Sequence, residues 1–214
     1  MNSLGRKDRL FAACLSALAG YVDALAFLKL GGFFVSFMSG NSTRLGVGLA
    51  QGSAPALIAG ALVGCFVTGV FAGSLIGRCF GRRRRIAVLS FVTLLLIAAA
   101  TFAALSITQA AVALMAIAMG AENAVFEENG EVRFGLTYMT GALVKVGQRL
   151  ALAATGGDRF SWAPYLLLWM GLVLGACLGA TTYSMIGLGG LWVAAAGASL
   201  ILLLSARLRL DGLE

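Results

Sequence analysis

The chain has 214 residues, of which 60% are hydrophobic and 12% charged, with a net charge of +7 and no histidine. Soluble domains carry about 25% charged residues, so neither a water-facing globule nor a disordered chain fits this composition. The missing histidine removes the commonest general base and metal ligand, and basic residues clustered at the ends of apolar runs point to membrane topology and anionic headgroups rather than to nucleic acid.

Taken in chain order, the first apolar run predicts a spanning helix over 9–28, preceded by Arg6, Lys7 and Arg9. With Ala-Leu-Ala-Gly at 17–20 it has the outline of a cleaved signal peptide. Retention is expected, because Gly20 to Phe27 belong to an internal repeat described below. A shorter segment over 33–50 is interrupted by polar residues and glycines, and apolar runs over 54–77 and 86–106 follow. The second half has the same plan: a span over 109–126, an interrupted segment over 136–153, and spans over 164–183 and 187–206. Runs near 20 residues are long enough to cross the ~30 Å hydrocarbon core.

The repeat is visible in the residues themselves. Gly20-Tyr21-Val22-Asp23-Ala24 matches Gly120-Ala121-Glu122-Asn123-Ala124. Ser36-Phe37-Met38-Ser39-Gly40-Asn41 matches Thr137-Tyr138-Met139-Thr140-Gly141-Ala142, and Arg44-Leu45-Gly46 matches Lys145-Val146-Gly147. Gly60 and Gly64 are aligned with Gly171 and Gly175. The halves are 1–106 and 107–214, within one structural domain.

Charge decides how the halves are threaded. If all eight segments crossed, either the arginines at 78 and 82–85 or both basic termini would lie outside. If the two interrupted segments enter and leave on one side, the termini, the arginine cluster, Arg133, Arg159, Arg207 and Arg209 all fall inside, and only Lys29 flanks the outer face. The expected fold is therefore an all-α integral membrane protein with six transmembrane helices and two broken, re-entrant segments. Three spans per half make the repeat inverted, a plan of secondary transporters and channels whose sites lie at mid-membrane between the halves. Both termini are expected to be cytoplasmic.

Asp23, Arg44, Glu122 and Lys145 stand inside apolar segments, where a charge costs on the order of 2.5–3.5 kcal/mol on insertion scales. The functional reading is a polar path: Asp23 and Glu122 as negative or proton-carrying groups, Arg44 and Lys145 as positive ones. Ser39, Asn41, Asn123 and Thr140 would hydrogen-bond a solute, while Gly40 and Gly141 free the backbone to turn. Half-helices beginning there would favour an anionic group. The alternative is structural, with Asp23–Arg44 and Glu122–Lys145 as buried ion pairs that only pin the broken segments.

Other features point to packing or topology. Gly60/Gly64, Gly73/Gly77, Gly171/Gly175 and Gly175/Gly179 read as helix contacts, mainly within one subunit, and the same spacing leaves a homodimer open. The run Arg82–Arg85 reads as a topology anchor, with lipid recognition the lesser alternative. Glu127, Glu128 and Glu131 are expected in a solvated loop; Tyr21, Trp162, Trp169 and Trp192 are expected to pack or sit at interfaces. Cys14, Cys65, Cys79 and Cys177 have no paired spacing, so no disulfide or metal knuckle is indicated.

The strings GYVDALAFLKLGGFFVSFMSGNSTRLG and MGAENAVFEENGEVRFGLTYMTGALVKVGQRLA resemble the two signatures of the YoaK-like family, bacterial inner-membrane proteins described as a domain of unknown function. The resemblance covers nearly the whole chain and implies a bacterial multi-pass protein of about six spans. In that family the second motif commonly reads Gly-x-Gln-Asn-Ala, where this chain has Glu122; the first usually ends Thr-Gly-Asn, where it has Ser39.

The functional expectation is a transporter or channel-like permease for a small polar or ionic solute. The alternative is a non-transporting structural or regulatory membrane protein. No enzyme is expected, because no nucleophile stands beside a base and no phosphate loop is present. No cofactor is expected, and the expected partners are the bilayer and the solute.

Overall fold

The computed structural model describes residues 6–128, 131–132 and 138–210. It is helical throughout, apart from a two-residue antiparallel pairing of 127–128 with 131–132. The helices are α1 (Arg6–Leu30), α2 (Met38–Ala50), α3 (Pro55–Phe80), α4 (Arg84–Ala104), α5 (Thr108–Glu122), α6 (Met139–Ala154), α7 (Ala163–Ile186) and α8 (Leu191–Leu210). Arg133 and Thr137 lie outside the described residues. Among the described residues, four stretches are long and apolar enough to cross a membrane: Asp8–Leu30, Pro55–Ala104, Thr108–Phe126 and Ala163–Arg207. The second and fourth each hold two helices, divided at Gly81 (φ +44°) and Gly187 (φ +58°), where only glycine turns the chain without strain. By contrast α2 and α6 have 13 and 16 residues. At 1.5 Å per residue they reach only ~20 and ~24 Å, short of the hydrocarbon core.

Helix pairing crosses between the halves. α1 packs on α7, and α3 packs on α5. Both interfaces are built the same way, with a glycine facing a carbonyl on the neighbouring helix. A Cβ at Gly20 would strike the Leu172 carbonyl, and one at Gly120 the Phe66 carbonyl. Likewise Gly175 and Gly179 press on Ala17 and Tyr21, while Gly69 and Gly73 press on Ile117 and Ala121. The repeat is thus in register at an offset of 100 for α1 and α5, 101 for α2 and α6, and 106 for α3 and α7. This corrects the alignment expected for the glycines: Gly175 and Gly179 correspond to Gly69 and Gly73. Gly64 faces open space and Gly60 meets only the tip of Leu45, so neither is a close helix contact. Gly77 instead meets the Arg84 side chain.

One end of the bundle is tied by charge. Glu127 is buried, its carboxylate accepting from Ser74 Oγ at 2.6 Å and lying 3.6 Å from Arg84 and 3.8 Å from Arg78. Arg84 also donates to the Glu127 carbonyl. Glu127 is therefore not in a solvated loop; burial next to two arginines compensates its charge. Arg85 pairs with Asp8 at 3.0 Å and lies over the rings of Phe11 and Phe126, which meet edge to face. The starts of α1 and α4 thus meet the ends of α3 and α5, so α1 runs opposite to its counterpart α5. Two of the four consecutive arginines are structural ties, while Arg82 and Arg83 stay exposed.

Gly175→Val and Gly69→Val should each lower thermal stability in detergent by about 1–3 kcal/mol or more, since the added carbons meet backbone that cannot yield. Gly64→Ala should leave the midpoint unchanged or raise it slightly. Equal effects at all three positions would contradict this packing.

Candidate functional site

α2 and α6 begin at the same place. Their first residues line one cavity of about 400 Å³, walled by Ser36, Phe37, Met38 and Ser39 from the first half and Tyr138, Met139, Thr140 and Gly141 from the second, with Phe66 of α3. Phe66 is near the middle of α3, and buried Ser16, near the middle of α1, reaches Met139 Sδ at 4.0 Å and donates to the Leu168 carbonyl at 3.0 Å. The cavity therefore lies at mid-depth. From it α2 leads toward the start of α3, where Gly48 abuts Ala56, and α6 toward the start of α7, where Lys145 lies 5.4 Å over the Tyr165 ring. The N-cap residues, Phe37 and Tyr138, offer no side-chain cap, and the first amide of α2, that of Met38, donates to the Ser36 carbonyl at 3.2 Å.

The chain reaches α2 through irregular backbone at 31–37, and two of the predicted site residues hold it. Asp23 Oδ1 accepts from the amides of Val35 at 2.7 Å and Ser36 at 2.9 Å. Asn41, fully buried, accepts from the Phe34 amide at 3.1 Å and donates to the Phe34 carbonyl at 2.6 Å. Peptide groups that leave a helix inside a membrane protein need such partners. Asn41 is thereby committed to backbone rather than offered to a solute. Gly40 does not line the cavity either; a Cβ there would meet the rings of Phe34 and Phe37. Asn123 donates to the Met119 carbonyl at 3.0 Å.

The remaining charged residues stand elsewhere. Arg44 is exposed on α2 and lies 4.9 Å over the Phe33 ring, and Lys145 is exposed on α6. Among the described residues neither the Asp23–Arg44 nor the Glu122–Lys145 ion pair is formed. Each long cation instead runs outward and lays its charge on a neighbouring aromatic face. Glu122 is completely buried in the core, away from the cavity, and among the described residues neither carboxyl oxygen has a hydrogen-bond partner. Of the ten predicted residues, Ser39, Thr140 and Gly141 line the cavity, Asp23 and Asn41 support its wall, and the other five lie apart from it. Ser36 and Tyr138 were missed as lining residues, although both belong to the repeated strings, which themselves were the available signal. Phe66 and Ser16 carry no comparable signal.

Residues 11–204 match a family described as "Protein of unknown function (DUF1275)". The chain belongs to that family. It is also 40% identical over 191 residues to the UPF0700 transmembrane protein RA0705 of Rhizobium meliloti (strain 1021), covering 88% of this chain and 82% of that protein. No solved structure matches. Membership in a family of transmembrane proteins agrees with the resemblance of the two repeated signatures and with the apolar stretches of the fold.

Asp23→Ala should destabilise by about 1–3 kcal/mol for each amide it strands, whereas Asp23→Asn keeps an acceptor and should lose less. Glu122→Leu should raise the thermal midpoint, because it removes a buried polar group that nothing satisfies. A fall in stability at Glu122→Leu that Glu122→Gln restores would show that the carboxyl does have a partner.

Proposed function

We propose that this protein is a permease for a small polar or ionic solute, with the cavity between the starts of α2 and α6 as its mid-membrane site. The observation that carries the reading is the convergence of two short helices, one from each half, on a hydroxyl-bearing cavity that includes Ser36, Ser39, Tyr138 and Thr140. In this reading α1, α3, α4, α5, α7 and α8 span the bilayer, and the two short helices return to the face from which their segments entered. Three spans per half then make the repeat inverted, consistent with α1 running opposite to α5. Both termini and the arginine-rich end face the cytoplasm across an inner membrane, as the distribution of lysine and arginine favours. The positive ends of two helix dipoles meeting at one cavity favour the anionic side of the solute range. No catalytic role or cofactor is part of this proposal, and the bilayer is the one partner it requires.

A second reading, a non-transporting structural or regulatory membrane protein, is favoured by one observation. Asp23 and Asn41 both spend their hydrogen bonds on the backbone of 34–36. Flux separates the two. Proteoliposomes should take up one or more of chloride, nitrate, formate, urea or glycerol faster than protein-free vesicles, and Thr140→Trp, which fills the cavity, should abolish the excess. Uptake that survives Thr140→Trp in folded protein would remove the cavity from the path; no excess for any small polar or ionic solute would favour the second reading.

The threading makes its own prediction. In a cysteine-free background, Gln51→Cys should react with an impermeant maleimide added outside the cell and Asp158→Cys only after permeabilisation. Labelling of both from one side would reject the two re-entrant segments.

A further inference from the structure

A second concavity, of about 600 Å³, lies on the outer flank of the α1–α7 pair, and the central cavity does not share its lining. Its walls are almost wholly apolar: Ala24 and Phe27 of α1, Phe34, and Ala176 and Cys177 of α7. Among the described residues, Asp23 is its one ionisable wall residue besides the cysteine. Asp23 directs Oδ1 to the amides of Val35 and Ser36, and the Ser36 hydroxyl also bonds the carboxylate, so its partners are all neutral donors. Among the described residues no lysine or arginine pairs with it, and the nearby Arg44 lies over Phe33 instead. A carboxylate in an apolar groove without a protein cation is complementary to a cation brought by a ligand.

The internal repeat supplies a control for this reading. At the register set by the glycine contacts, the α3–α5 pair places Asn123 where α1 has Asp23. It places Val70 and Phe71 where α7 has Ala176 and Cys177. The second half therefore has an amide in place of the Asp23 carboxylate and larger side chains at those two places, while its carboxylate at the place of Phe27, Glu127, is already paired with Arg78 and Arg84. The glycine contacts beneath are kept on both sides.

We propose that the α1–α7 groove binds an organic cation with an apolar body, the cationic centre beside the Asp23 carboxylate and the body between Phe27, Phe34 and the Ala176–Cys177 strip. The volume suits one molecule of drug-like size, for which pockets run ~300–1,000 Å³. A lipid acyl chain would fill the space but leave the carboxylate against hydrocarbon. The inference goes beyond the permease reading, because it concerns a separate concavity that shares no lining with the central cavity and requires no flux.

The experiment is equilibrium binding of tetraphenylphosphonium to the full-length protein in nanodiscs. Tetraphenylborate, of the same shape and opposite charge, is the control. Saturable binding of the cation alone is expected. It should weaken at least about tenfold in Asp23→Asn, as losing one desolvated charge pair requires. It should weaken as much in Ala176→Val/Cys177→Phe, which fills the groove with the residues of the other half and leaves the Asp23 amide bonds in place. Equal binding of the two ions, no saturable binding by the folded wild type, or indifference to the filled groove would each overturn the proposal. Failure here leaves the central cavity untested by this assay's logic and standing on its own flux measurement, and failure of flux leaves the groove standing.

Discussion

A peptide group that leaves a helix in the middle of a bilayer finds no water, so the protein itself has to bond it. The whole centre of this molecule depends on meeting that demand at residues 34–36. The Asp23 carboxylate takes two successive amides there, and the Asn41 side chain takes both the amide and the carbonyl of Phe34. With those four bonds made, irregular backbone at 31–37 can lead directly into α2. Without them, the cheaper course would be a continuous helix and no central cavity. Asp23 is thereby an architectural residue on one side and the wall of an apolar groove on the other.

The second dependency is steric. The long helices carry few polar groups to hold them together, and apolar side chains gain little from leaving lipid for protein. Close approach through glycine replaces that driving force, and it recurs at Gly20, Gly175 and Gly179 on one pair and Gly120, Gly69 and Gly73 on the other. Charge supplements packing at one end, where Glu127, Arg78, Arg84, Arg85 and Asp8 join four helix ends. The result is a scaffold of two helix pairs, with α2 packed on α3 and α6 on α7 and both short helices largely exposed along their length.

Much of this was legible in the sequence for identifiable reasons. Apolar length set the helices within a few residues, since a bilayer leaves few alternatives. The polar strings at 36–41 and 137–142 stood out because they recur, and the cavity is built from them. What could not be read was the partner of each residue. Arg44 and Lys145 are visibly costly in an apolar segment, but nothing in spacing says that Phe33 and Tyr165 lie beneath them. Glu127 looked solvated because its arginines stand more than forty positions away. Gly69 escaped notice, and Gly60 and Gly64 were overrated, because glycine spacing alone does not tell which face of a helix meets a neighbour. Glu122 has no physical account beyond its cost: it is buried, ionisable and unpartnered.

The glycine contacts also limit how such a molecule can move. Gly171, Gly175 and Gly179 meet Ala13, Ala17 and Tyr21 at intervals of four residues, about one helical turn. Each glycine accommodates one carbonyl, so a slide of a fraction of a turn would set carbonyls against side chains, and the next fit lies ~6 Å further along. The pair behaves as a ratchet with a coarse pitch and cannot creep. The glycines with positive φ that flank α2, Gly31 and Gly32 before it and Gly52 after it, sit outside that locked pair, so backbone freedom lies beside the short helix rather than along the long ones.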